Sequence, residues 1–206
     1  RAAVGGRVIE LSEAFQDGGR VMAGQVLVRL DPADAQDAVE RAKNDLADAE
    51  AEERDAKRGL ILARDELVAA VEQADLRARA FDRQVDLAER GVGTATSTET
   101  AELAAAAARQ AVLSRRQAEA QAEVRVDLAA TRLSRSRIAL AEAERRLADT
   151  TITAPFDGTL SATDVVVGRL VAGNERLAEL IDPADLEVSF RVSTAQYERL
   201  LAPDNT

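Results

Sequence analysis

Apolar residues recur every three or four positions through the middle of the chain, which is the spacing of one face of an α-helix. This region runs from residue 33 to residue 149, contains no proline, and is rich in Ala, Glu and Arg. Its one cluster of turn-forming residues is the segment 90–94, which reads RGVGT. Two helical arms of nearly equal length around a glycine turn predict a long antiparallel hairpin. At about 1.5 Å per residue, each arm would be on the order of 85 Å long.

Each arm carries a narrow apolar stripe in a heptad pattern. In the first arm, apolar residues occupy 15 of the 16 stripe positions from Ala35 to Ala88. In the second arm, they occupy 11 of the 14 positions from Ala101 to Leu147. Because each stripe is one side wide, each arm needs one partner helix, and the pattern predicts that the arms form a coiled coil with each other. The exceptions are the polar residues Glu53, Arg115, Glu119 and Ser136.

Short strand-like segments flank the helical region, and the two flanks resemble each other. Gly19–Gly24 matches Gly168–Gly173 at a separation of 149 residues, and Asp31–Asp34 matches Asp182–Asp185 at a separation of 151. The repetition predicts one small β domain built from two half-motifs, with the hairpin inserted between them. Asp31 is also expected to cap the start of the first arm.

Beyond the second flank, apolar and polar residues alternate from Leu186 to Val192, as in a half-buried strand. The segment Ser193–Gln196 then has the form of a capping box that opens a short helix. These elements predict the beginning of a further domain. The predicted domains are 1–32 and 150–183 for the two β half-motifs, 33–149 for the hairpin with its tip at about 90–95, and 184–206 for the beginning of the further domain.

The composition argues against several classes of function. A net charge of −10 is unfavourable for a surface that binds nucleic acid. The absence of Cys and His removes thiol chemistry, the commonest metal ligand and the commonest general base. We therefore expect a protein that is not an enzyme and has no catalytic, metal or cofactor site. The first residue is Arg rather than Met, so we also expect a fragment of a longer protein that lacks its N-terminal anchor.

Three motifs resemble the periplasmic adaptor proteins, also called membrane fusion proteins or the HlyD family, and in particular their RND efflux type. These motifs are Gly19–Leu27, the Asp31-Pro32 helix start, and Leu147–Gly158. The resemblance covers essentially the whole chain. It implies an α+β fold in which a long antiparallel coiled-coil hairpin is inserted in a split lipoyl-like (biotinyl/lipoyl) β domain. The start of a β-barrel domain is expected to follow.

The resemblance also implies a function. The chain is expected to be the periplasmic adaptor subunit of a tripartite efflux pump, linking an inner-membrane transporter to a TolC-like outer-membrane channel. Such adaptors form homo-oligomers, usually hexamers. They lie in the periplasm, anchored to the inner membrane of a Gram-negative bacterium.

Efflux-type members of this family carry Arg, Leu and Ser near the hairpin tip in the spacing R-x3-L-x6-S. Arg83, Leu87 and Thr94 match this spacing, with Thr in place of Ser. The resemblance therefore implies that these three residues contact the outer-membrane channel. Each also has a simpler interpretation: Arg83 as a solvated helix charge, Leu87 as part of the apolar stripe, and Thr94 as the cap of the second arm.

Other functions remain as alternatives. An ABC-type or major-facilitator-driven export system, including type I secretion, would use an adaptor of the same design. The arms are longer than expected for the commonest RND adaptors, which favours that alternative. A purely structural coiled coil is less consistent with the repeated β flanks. A lipoyl or biotinyl carrier is excluded because it needs a lysine in the β domain, whereas Lys43 and Lys57 lie in the first arm.

Overall fold

A computed structural model of the protein describes residues 1–182. Two long α-helices, α1 (Ala33–Glu89) and α2 (Ala95–Ala148), occupy the middle of the chain, as the apolar periodicity predicts. The strands are β1 (Gly6–Leu11), β2 (Arg20–Val21), β3 (Val26–Leu30), β4 (Thr151–Thr153), β5 (Gly158–Ser161), β6 (Leu170–Val171) and β7 (Glu179–Ile181). The strand and short helix predicted within residues 184–206 lie outside the described residues.

The chain divides into two compact units. The helical unit is Asp34–Arg145, and the β unit combines Arg1–Ala33 with the residues from Arg146 onward. At the start of α1, the Asp31 carboxylate accepts a hydrogen bond of 3.1 Å from the Ala33 amide, so the predicted cap is confirmed. Within residues 1–182, neither helix is apolar enough over sufficient length to cross a membrane.

The two heptad stripes become the seam of the helical unit. Every stripe position of α1 is buried or half-buried except Ala88, and every stripe position of α2 is buried or half-buried except Arg115. Many of these positions are Ala, whose small side chain lets two helices approach closely. Ala49 and Ala105 are 0% and 2% exposed. The burial pattern confirms that the apolar stripes, rather than the charged faces, pack in this unit.

Ion pairs between the arms explain two of the polar exceptions in the α2 stripe. Arg115 donates a hydrogen bond of 2.7 Å to the Glu66 carboxylate. Glu119 accepts one of 3.2 Å from Arg64, which also donates at 3.0 Å to Glu123. The hydrogen bonds to these two carboxylates raise the pKa of Arg64 above its ordinary value, and the bond to Glu123 has the larger effect. Some acidic residues of the two arms are therefore bound to the opposite arm of the same chain.

The β unit contains two antiparallel sheets with strand orders β4-β3-β1-β6 and β2-β5-β7. The strands of the two flanks are interlocked. β1 pairs with β3 of its own flank and with β6 of the other, whereas β5 pairs with β7 of its own flank and with β2 of the other. Each flank therefore completes a sheet of the other. The largest fully buried side chains are those of Leu30, Leu160, Val8, Val28 and Val171.

The internal repeat is real, but the structure shifts part of its alignment by one residue. β2 corresponds to β6 at a separation of 150 residues rather than 149. Gly18 (φ 80°) corresponds to Gly168 (φ 88°), and Gly24 (φ 78°) corresponds to Asn174 (φ 65°), not to Gly173. Asn tolerates the left-handed conformation that Gly adopts freely, so the second copy keeps the turn without keeping the glycine. Matching glycine to glycine was therefore wrong by one position.

Gly18 and Gly168 also make equivalent backbone hydrogen bonds. The Gly18 amide donates to the Leu160 carbonyl at 2.8 Å, and the Gly168 amide donates to the Val8 carbonyl at 2.8 Å. Both bonds join one flank to the other. The duplicated sequence thus folds into one unit with two equivalent crossings.

Candidate partner-binding site at the hairpin tip

The tip of the hairpin is a tight turn that requires both of its glycines. α1 ends at Glu89, and Gly91 follows in the left-handed conformation with φ 75°. The Gly91 amide donates to the Ala88 carbonyl at 3.0 Å, and the Val92 amide donates to the Leu87 carbonyl at 3.1 Å, which is the bonding pattern of a Schellman motif. A Cβ at Gly93 would lie 2.8 Å from the Ala88 nitrogen, so a side chain there would force the turn to move.

Thr94 begins the second helix with a reciprocal cap. Its hydroxyl oxygen accepts a hydrogen bond of 3.2 Å from the Ser97 amide, and the Ser97 hydroxyl oxygen accepts one of 3.3 Å from the Thr94 amide. Two amides at the start of α2 gain side-chain acceptors in this way, and the Ser97 amide also donates to the Thr94 carbonyl at 3.1 Å. The capping interpretation of Thr94 is therefore confirmed. Capping uses a lone pair of the Thr94 hydroxyl, and within residues 1–182 no acceptor takes its proton.

A groove of about 500 Å³ runs beside this turn, between the last turns of α1 and the first turns of α2. The structure brings Arg83 and Thr94 together in its wall. Both side chains are exposed. The full lining is Arg77, Ala80, Arg83 and Gln84 from α1, and Thr94, Thr96, Ser97, Thr100, Ala101 and Ala104 from the second arm.

Leu87 does not line this groove. It is 40% exposed, so it is neither fully part of the seam nor fully solvated. A second apolar side chain, Val92, projects from the turn itself and is 76% exposed. Val92 is not one of the three residues of the R-x3-L-x6-S spacing. Its position between two turn glycines nevertheless indicates that its side chain is exposed.

Arg83 differs from two arginines close to it in sequence, Arg79 and Arg90. Arg79 is paired with Asp75, and Arg90 is paired with Asp86 at 2.9 Å. In the described part of the chain, Arg83 makes no ion pair and no side-chain hydrogen bond. A guanidinium group presents five donors in a planar fork that fits carboxylates and carbonyl oxygens. The groove therefore offers an uncommitted cation and a free hydroxyl proton at the end of two long helices.

The arrangement is suited to binding rather than to chemistry at a bound substrate. No group of three or more acidic side chains within residues 1–182 is placed to hold a metal ion. The groove wall contains guanidinium, hydroxyl, amide and methyl groups, and it is open to solvent along its length.

A known protein family matches most of the chain. The family model described as "RND MFP, barrel-sandwich hybrid domain" matches residues 1–183. No curated protein sequence matches the chain.

Several solved structures are similar to the chain at low sequence identity. MacA from Actinobacillus actinomycetemcomitans is 22% identical, with a TM-score of 0.48 over 87% of this chain and 46% of that chain. The soluble domain of LipC, a membrane fusion protein of a type I secretion system, is 16% identical, with a TM-score of 0.48 over 88% of this chain and 98% of that chain. The periplasmic adaptor protein EmrA is 15% identical, with a TM-score of 0.44 over 88% of this chain and 70% of that chain. The chain thus spans less than half of the MacA chain that it matches.

Proposed function

Because the chain belongs to the membrane fusion proteins, the family of periplasmic adaptors, we propose that it is the adaptor subunit of a tripartite efflux pump. In this proposal it links an inner-membrane transporter to a TolC-like outer-membrane channel. The tip of the hairpin binds the channel through Arg83, Leu87 and Thr94. The protein performs no catalysis; it connects the two membrane components.

The unpartnered guanidinium of Arg83 is the observation that carries this proposal. Arg79 and Arg90, which flank Arg83 in sequence, each pair with an acidic residue four positions away. The acid three positions from Arg83 is Asp86, which is paired with Arg90 instead. Arg83 is therefore free for a partner, and it shares a groove with the Thr94 hydroxyl. The half-exposed Leu87 supplies an apolar contact nearby.

The remaining features of the proposal follow from family membership and the resemblance. The β unit, with its two interlocked flanks, is a lipoyl-like domain formed from residues 1–32 and 150–183, and residues 184–206 begin a β-barrel domain. The protein lies in the periplasm, is anchored to the inner membrane by an N-terminal segment, and acts as a homo-oligomer, a hexamer in the assembled pump. The RND class of transporter is supported by the description of the matching family model.

Site-specific crosslinking tests the proposal directly, because residues 1–206 contain no cysteine. Val92→Cys in the full-length protein places a thiol in the exposed turn without removing the Thr94 cap. Ala47→Cys, an exposed position far along α1 from the tip, is the matched control. In cells treated with a thiol-to-amine crosslinker, we expect Val92→Cys, but not Ala47→Cys, to capture an outer-membrane channel protein. Equal capture by both thiols, or capture by neither, contradicts the proposal.

The lengths of the arms favour a second candidate, an adaptor for an ABC-type or major-facilitator-driven exporter. The helices contain 57 and 54 residues. Purification of the crosslinked complex in mild detergent distinguishes the two candidates by the transporter that accompanies it. An RND transporter supports the first candidate, and an ABC or major-facilitator transporter supports the second.

A further inference from the structure

We infer that the groove beside the tip binds an acidic segment of the channel protein through two arginines, Arg77 as well as Arg83. This inference rests on the proposed function, because it names the chemistry that the tip recognises. Arg77 lies outside the R-x3-L-x6-S pattern. It lines the same groove as Arg83 and Thr94 and is exposed to solvent.

Arg77 lacks a partner for a reason that is visible in the sequence. The residues three and four positions away from it are Gln73, Ala74, Ala80 and Phe81, none of which is acidic. Across the groove, the second arm presents Thr96, Ser97 and Thr100, which are also uncharged. In the described part of the chain, Arg77 makes no ion pair and no side-chain hydrogen bond. Both guanidinium groups of the groove are therefore uncommitted.

Three arginines further along the helices have acidic partners, which Arg77 and Arg83 lack within residues 1–182. Arg64, Arg115 and Arg132 all bind carboxylates of the opposite arm. The chain has 37 acidic residues and a net charge of −10, yet no carboxylate lines the tip groove. A cationic groove in an acidic protein is electrostatically complementary to an acidic partner.

The spacing of the two arginines defines what the partner must present. Arg77 and Arg83 are six residues apart, which is about 9 Å along the helix axis. Each guanidinium can bind one carboxylate in a forked geometry. The hydroxyls of Thr96 and Thr100 lie on the facing wall of the groove. The occupant is therefore a protein segment of the channel that presents at least two carboxylates, one for each guanidinium.

The test combines charge reversal with the tip crosslink in the full-length protein. In the Val92→Cys background, Arg77→Glu should lower capture of the channel about tenfold, since it replaces an attraction for the partner's carboxylate with a repulsion. Arg79→Glu is the matched control: it makes the same change of charge two residues away, outside the groove. It should lower capture by less than about twofold. Arg77→Lys should retain part of the capture because it keeps the charge but loses the fork.

Each outcome separates the inference from the function on which it rests. If the Val92→Cys parent captures no channel, the proposed function fails. If the parent captures the channel and Arg77→Glu captures it equally well, the inference is overturned and the function stands. Mapping the crosslinked peptide gives an independent check, since a contact region without acidic residues also overturns the inference.

Discussion

At the scale of single residues, the tip shows side chains that serve the fold and remain available to a partner. Thr94 stabilises the start of α2 through one lone pair of its hydroxyl and keeps its proton. Leu87 closes the Schellman motif through its carbonyl while its side chain is 40% exposed. The structural role of these residues therefore does not argue against a role in binding. Substitutions that preserve one role and remove the other can separate them.

Substitution of Thr94 distinguishes capping from docking. Thr94→Ala removes the side-chain acceptor of the Ser97 amide and leaves the Thr94 carbonyl as its acceptor, and we expect a loss of about 1 kcal/mol of local stability. Hydrogen exchange of the Ser97 amide should then become about fivefold faster. Thr94→Asn keeps a capping acceptor but lacks the hydroxyl, so Ser97 exchange should stay near the wild-type rate.

The same variants report on the channel contact. If the hydroxyl of Thr94 binds the channel, Thr94→Asn should reduce crosslinking by Val92→Cys although the cap is intact, whereas Thr94→Ser should preserve it. Full capture by Thr94→Asn would show that Thr94 acts only as a cap.

At the scale of the elements, a seam of small residues and a set of lateral ion pairs define the helical unit. Alanine at many stripe positions contributes little area per residue, so the arms depend on many contacts rather than on a few large ones. Arg115 replaces an apolar residue in the stripe and reaches Glu66 of the other arm instead. Ion pairs of this kind help to select one register of the two arms, because a shift along the helix separates the charges.

A double-mutant cycle on Arg115 and Glu66 measures this contribution. Both side chains are about half exposed, so solvent screens the pair, and we expect a coupling free energy of about 0.2–1 kcal/mol at low ionic strength. The variants are Arg115→Gln, Glu66→Gln and the double substitution, each followed by urea unfolding. The coupling should vanish at about 1 M salt, where the Debye length is near 3 Å. Unchanged coupling in high salt would show that packing rather than charge links the two residues.

At the scale of the whole molecule, the two distant flanks of the chain act as one β unit. Residue 17 of the first flank and residue 163 of the second are joined by side-chain bonds. The Asp17 carboxylate accepts hydrogen bonds of 2.9 Å from both the amide and the hydroxyl of Thr163. Both hydrogen bonds lower the pKa of Asp17 below its ordinary value of 3.8, and the bond from the Thr163 amide has the larger effect.

The lowered pKa predicts how the stability of the β unit depends on pH. A carboxyl group with a lower pKa in the folded state stabilises that state above its unfolded pKa, and it loses this contribution as the pH falls through the folded pKa. We therefore expect Asp17→Asn to be less stable than wild type at pH 7. The difference should shrink below pH 3.8 as the wild-type group becomes protonated. Thermal unfolding of both proteins from pH 7 to pH 2.5 measures this difference. Asp157→Asn is a second carboxylate variant for comparison, since Asp157 accepts a hydrogen bond from the Ala23 amide. A difference independent of pH would contradict the assignment.

The sequence by itself determined the two helices, the turn at 90–94 and the existence of a repeat. Periodic apolar residues, glycine placement and caps such as Asp31 act over a few neighbours, so they can be interpreted without coordinates. The exact correspondence within the repeat was not determined in this way. It depends on which residue adopts a positive φ, and Asn174 takes the place that glycine identity assigned to Gly173.

Only the tertiary structure decided which charges are committed and which are free. Arg64, Arg83 and Arg115 are equivalent as letters in a charged helix, but the register of the two arms gives acidic partners to Arg64 and Arg115 and leaves Arg83 in an open groove. The same holds for the interlocked strands, since β1 meets β6 only when the chain closes on itself over more than 150 residues. Pairing between distant residues depends on which surfaces the fold brings together, and local sequence carries no record of that.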